Sequence, residues 1–131
     1  MRTIIKVLIF GLISNVATLA QAVEYNCKVG KKFSAEHTYS VPELEKGQFS
    51  VKIVDEGESA ILSRCSVTLS ANKVTCDRYI VDKIIFDENV KIKKYYVFRS
   101  HFDVQVFSNL SFVENNGRGG IAFGKCVVTA P

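Results

Sequence analysis

Arg99, His101, Asp103 and Gln105 recur at every second position of the 131-residue chain, the spacing that lines up side chains on one face of a strand. Their bases would sit about 6.6 to 6.8 Å apart, so a guanidinium, an imidazole and a carboxylate would adjoin. An aspartate beside a histidine can orient the imidazole as a general base, and the pattern raises a small hydrolase built on His101 and Asp103. A nucleophile is missing from any recognisable setting: there is no G-x-S-x-G, and the cysteines have another use. The plainer reading is an exterior strand face whose alternating charge serves solubility. The other histidine, His37, stands beside Glu36, and with His101 the pair could hold a metal only if folding gathered all three. A solvated loop histidine is the simpler account, and neither metal nor cofactor is expected.

The segment Asn115-Asn116-Gly117-Arg118-Gly119-Gly120 is more pointed. Glycine and asparagine accept positive φ, which is ordinary hairpin chemistry, but three glycines around one arginine exceed what a two-residue turn needs. Such a loop can hold Arg118 away from the body of the domain with little bulk around it. A planar guanidinium grips carboxylates through two parallel hydrogen bonds, and paired carboxylates line glycosidase clefts. An arginine-tipped loop could therefore plug an acidic active site; the alternative is a long turn with an incidental arginine. A basic stretch, Lys91, Lys93 and Lys94, is interleaved with Tyr95 and Tyr96. It reads either as a strip facing carbohydrate or polyanion, or as lysines guarding an exposed strand against edge-to-edge association.

The elements that must position these residues are organised by cysteines. Cys65 and Cys76 flank a turn at Ser70-Ala71-Asn72-Lys73. Symmetric pairing about that turn sets Cys65 against Cys76, Val67 against Val74, Leu69 against Asn72 and Ile61 against Ile80. All of these fall on one face, at separations a disulfide tolerates. That pairing leaves Cys27 to join Cys126 and tie the ends of the domain, a closure worth roughly 4 to 5 kcal/mol at most in the chain-entropy model. The spacings match no structural zinc site.

The N-terminal 22 residues read as a secretory signal peptide, with Arg2 and Lys6 ahead of an apolar run (Val7 to Ile13) and Ala20-Gln21-Ala22 as the cleavage site. The apolar run is too short and too interrupted for a membrane anchor, so no transmembrane segment is expected after cleavage. An even number of cysteines behind a leader implies two disulfides and an exported product, periplasmic or extracellular. Residues 23–131 form one domain. The leader holds two of the 17 basic residues and none of the 13 acidic ones, so the mature charge is +2. That near-neutrality excludes the strong basic footprint of a nucleic-acid-binding protein.

Along residues 23–131, short alternating runs separated by polar turns predict about seven strands in an antiparallel meander, closing into a small barrel or flattened sandwich. One of these is the second strand of the cysteine hairpin, running on through Tyr79-Ile80-Val81 to Phe86. Another is a long strand from Val90 to about Phe107, with Tyr96, Phe98, Phe102, Val104 and Val106 on its apolar face and Tyr95 and Val97 on the polar one. One short helical turn is predicted at Ser40-Val41-Pro42-Glu43, where an S-x-x-E capping box carries proline in its first turn, with Gly47 as the stop. Gly30 offers a bend in the first strand. A small, exported, disulfide-bonded β domain resembles the periplasmic lysozyme inhibitors in architecture and compartment, and in no specific motif. The favoured expectation is a non-enzymatic binding protein, an inhibitor of an envelope or secreted enzyme, whose partner is a protein or envelope component. Arg118, Asn115, Asn116, Arg99, His101 and Asp103 are its binding candidates. The alternatives are a carrier of a small apolar ligand inside the barrel and the hydrolase.

Overall fold

The computed structural model describes Gly11 and residues 22–130; the expected leader thus lies almost wholly outside the described residues. Nine strands form: β1 (Val23–Phe33), β2 (Ser50–Asp55), β3 (Ala60–Thr68), β4 (Lys73–Ile80), β5 (Lys83–Asp87), β6 (Ile92–Val97), β7 (Phe102–Val106), β8 (Ser111–Asn115) and β9 (Ile121–Thr129). They make one antiparallel sheet in the order β4-β3-β2-β1-β9-β8-β7-β6-β5. Two meanders, β1 to β4 and β5 to β9, are thus joined along the β1–β9 pair.

The sheet curls on itself. In a flat sheet β2 and β6 would stand five strand spacings apart, about 24 Å. Yet the Tyr95 hydroxyl of β6 donates to Asp55 of β2 at 2.6 Å, and Arg64 of β3 donates to Glu114 of β8 at 2.7 Å. The Tyr79 and Phe102 rings of β4 and β7 meet edge to face at 4.8 Å. The result is a half-barrel whose inner face carries Ile53, Leu62, Tyr95, Val104 and Phe112, all fully buried. The all-β antiparallel fold expected from the sequence is present, and its closure stops short, with β4 and β5 left as edges.

The expected register of the cysteine hairpin is observed pair for pair: Ile61 with Ile80, Cys65 with Cys76 and Val67 with Val74. Leu69 and Asn72 end the turn between these strands. That face, however, is the outer one. Val74 is 45% exposed and Ile80 76%, whereas Ala60 and Leu62, in the other phase, are buried. Both disulfides form, Cys65–Cys76 outside and Cys27–Cys126 between β1 and β9 within the core. Two formed disulfides point to an oxidising, non-cytoplasmic compartment. Among the described residues no helix is long and apolar enough to cross a membrane.

Nine strands stand where about seven were expected, because two predicted strands are split. The chain leaves β4 at Val81 and Asp82, whose amides donate to Ala60 of β3 and Tyr96 of β6; this link crosses the open side of the half-barrel. The long strand from Val90 is instead a hairpin. β6 ends in a 3-10 turn (Phe98–Ser100), His101 takes φ 54, and β7 returns with Val97 opposite Phe102. The reversal changes the phase, so Tyr95 and Val97, expected on the polar face, are buried, while Phe98 is 56% exposed.

The helix α1 (Val41–Gly47) begins as expected. The Glu43 amide donates to the Ser40 hydroxyl oxygen and the Glu43 carboxylate accepts from the Ser40 amide. It stops on Gly47, as expected, where a Cβ would run into the Phe49 ring, and Gln48 caps it in the left-handed region. Gly30 marks a register shift in β1 that carries the following residues out of phase, and Lys32 becomes half-buried.

Candidate functional site, a rim of two loops

The end of the sheet where β6 turns to β7 and β8 to β9 gathers most of the residues singled out in the sequence. Asn115 and Asp103 are cross-strand partners, and Asn115 also faces Ile121. Beyond them the β8–β9 loop is fixed by its own asparagines. Asn115 Oδ1 accepts from the Gly117 amide at 2.9 Å, and Asn116 Oδ1 accepts from Arg118 at 2.7 Å and Gly120 at 2.9 Å. The Asn116 amide closes the loop onto the Gly120 carbonyl at 3.0 Å. Side-chain oxygens that take up backbone donors in this way replace the ladder bonds a turn gives up.

This loop leans on the β6–β7 turn. Gly117, at φ 74, lies so close to the His101 carbonyl that any Cβ there would overlap it. The turn itself is held by the His101 amide on the Phe98 carbonyl at 3.1 Å and the Phe98 amide on Asp82 Oδ2 at 2.7 Å. Arg118 is exposed in the loop, and among the described residues its guanidinium enters no ion pair. Arg99, His101, Asn116 and Phe98 belong to the same rim.

The polar ladder does not survive the hairpin. Arg99 and His101 sit in the turn, and only Asp103 and Gln105 keep a common strand face, with Gln105 Nε2 donating to Asp103 at 3.3 Å. His101, in the turn, and Asp103, on β7, share no hydrogen bond. His37 pairs with Glu43 at 2.8 Å rather than with Glu36, and no three metal-ligating side chains converge among the described residues.

Sequence reasoning missed the charged groups of the inner face. Asp55 is buried, accepting from Tyr95, from Lys93 at 3.1 Å and from the Gly57 amide at 2.7 Å. Burial pushes its carboxyl up, but these three hydrogen bonds outweigh burial and hold it below the usual range. Lys93, read as a solvent-facing guard, is committed to this network. Toward the other end of β2, Lys32, Arg64, Ser50, Ser66, Asp77 and Glu114 line a space of about 150 Å³. The volume corresponds to about five waters. Burial lowers the Lys32 ammonium's pKa, and its Nζ lies 4.4 Å from the Phe49 ring centroid. The Arg64–Glu114 ion pair stitches β3 to β8. One signal in the sequence pointed to it: Arg64 follows Leu62 at strand spacing and so shares its inward phase.

A larger groove of about 770 Å³ lies outside the sheet, between α1 and strands β1 to β4, lined by Val41, Leu44, Phe49, Lys28, Lys52 and Cys65 among others. It is not the interior of a barrel, which the carrier reading requires; that side is filled by the core.

The chain matches no protein-family model, no curated protein and no solved structure, so the geometry alone carries the functional reading.

Proposed function

We propose that this protein is an exported, non-catalytic binding protein that inhibits an envelope or secreted enzyme by presenting Arg118 to an acidic cleft. The observation that carries the reading is the pre-ordered rim. The Arg118 loop is fixed by two asparagine side chains and braced by Gly117 against the His101 turn, while the guanidinium itself has no ion partner among the described residues. A loop already held in one shape loses little entropy when a partner engages it. A planar fork is the group best matched to a carboxylate pair. Phe98, exposed on the β6–β7 turn that braces this loop, supplies apolar contact of the kind that anchors interfaces.

The test is a panel of purified glycoside hydrolases, lysozymes included, whose clefts hold two carboxylates. Turnover is assayed with the mature oxidised protein in large excess. Inhibition of at least one member, with a stoichiometric complex on gel filtration, is expected. If every enzyme keeps full activity, the inhibitor reading fails.

A further inference from the structure

The two open edges of the sheet are not alike. β4 also exposes apolar side chains, Val74 and Ile80, but it carries charge within its length as well, at Asp77 and Arg78, the usual protection of an edge. β5 carries Lys83 at its start, Asp87 at its end and Ile84-Ile85-Phe86 between them, with Ile85 37% and Phe86 48% exposed. Among the described residues nothing pairs with its outer side, and neither Lys83 nor Asp87 has an ion partner. Asp87 uses Oδ1 for the amides of Asn89 and Val90, which leaves Oδ2 without a hydrogen bond.

This strand is complementary to itself. We propose that β5 pairs antiparallel with β5 of a second copy of the chain, about a two-fold axis at Ile85, joining two half-barrels into one continuous sheet. In that register Ile85 faces Ile85, Ile84 faces Phe86, and Lys83 faces Asp87 at both ends. Parallel pairing in register would set Lys83 against Lys83 and Asp87 against Asp87, and a one-residue slip would put Asp87 opposite Ile84 in one direction, or Lys83 opposite Phe86 and Asp87 opposite Asp82 in the other. Opposite charges directly across a ladder stabilise it and like charges destabilise it, so the ends select this register. A two-fold contact of this kind closes on itself and leaves the charged β4 edges outward.

Sedimentation equilibrium of the mature oxidised protein over a wide concentration range tests the pairing. A reversible monomer–dimer equilibrium is expected. Lys83→Glu replaces two attractive pairs by two repulsive ones and should weaken the dimer at least about tenfold. Lys83→Glu combined with Asp87→Lys should restore it, with melting curves confirming that the β5–β6 turn survives the loss of the Asp87 acceptor. Mild oxidation should link Ile85→Cys into a dimer much faster than Phe86→Cys, because residue 86 faces residue 84 of the other copy. A protein that stays monomeric throughout overturns the proposal. So does a dimer indifferent to Lys83→Glu, or equal cross-linking of the two cysteine variants.

Discussion

Gly117 joins the two loops of the rim, and its replacement separates two costs. At φ 74 an alanine is strained, and its Cβ also collides with the His101 carbonyl. Gly119, at φ 87, has open space around its Cα and bears the first cost alone. A left-handed non-glycine residue costs about 1–2 kcal/mol, and displacing a packed backbone adds to it. Gly117→Ala should therefore lower stability by roughly 2 to 3 kcal/mol in urea unfolding, and Gly119→Ala by about 1. Equal losses in the two variants would mean that the loop is not braced on the His101 turn. The loop composition was legible from the sequence because glycine and asparagine announce their backbone needs. Its support was not: histidine is enriched among left-handed residues, but one histidine inside an unbroken alternating run does not announce a turn.

Among elements, the same gap explains the split strand. Val90 to Phe107 contains no glycine or proline, and Phe98-Arg99-Ser100-His101 turns through a 3-10 segment that alternation conceals. Residues on either side then change phase, and Tyr95 moves from the expected polar face to the core. The hairpin at Cys65 and the capping box at Ser40 were legible because each is a local pattern with its own partner in the sequence. Contacts between distant strands were not, and the Asp55 clamp from β2 to β6 is the main one. The Asp55 carboxyl is held below its ordinary value, so the stability it contributes is present above the unfolded carboxyl's pKa, about 3.9, and is lost as pH falls through the folded value. Asp55→Asn keeps the shape but removes the ion pair with Lys93, and a loss of roughly 1 to 3 kcal/mol is expected at pH 7. Urea midpoints measured from pH 7 down to about 2 should converge for the two proteins below about pH 4. A gap that stays constant across that range would show that the carboxylate charge contributes nothing.

On the scale of the whole molecule, the disulfides divide their work by loop length. Cys27–Cys126 spans 99 residues and locks β1 to β9, the junction of the two meanders; Cys65–Cys76 spans 11 and staples one hairpin on its outer face. In the chain-entropy account a loop near 100 residues is worth about 4.7 kcal/mol and a 15-residue loop about 3. Replacing Cys27 and Cys126 by alanine should thus lower the melting temperature more than replacing Cys65 and Cys76, and the burial of Cys27 and Cys126 adds to the difference. The reverse order would show that the β1–β9 junction is held by its ladder and core alone.

The framework exists, on this reading, to hold one arginine ready, and calorimetry of Arg118 variants against an enzyme inhibited by the native protein tests this most directly. Truncating a charged group that pairs with a buried carboxylate typically costs roughly 2 to 5 kcal/mol, or about 30-fold to several-thousand-fold in affinity. Arg118→Ala should lose that much while its melting temperature stays put, since an exposed side chain contributes little to folding. Arg118→Lys should also bind poorly, because it keeps the charge without the fork. Affinity unchanged in Arg118→Ala would contradict the account and leave the loop a turn.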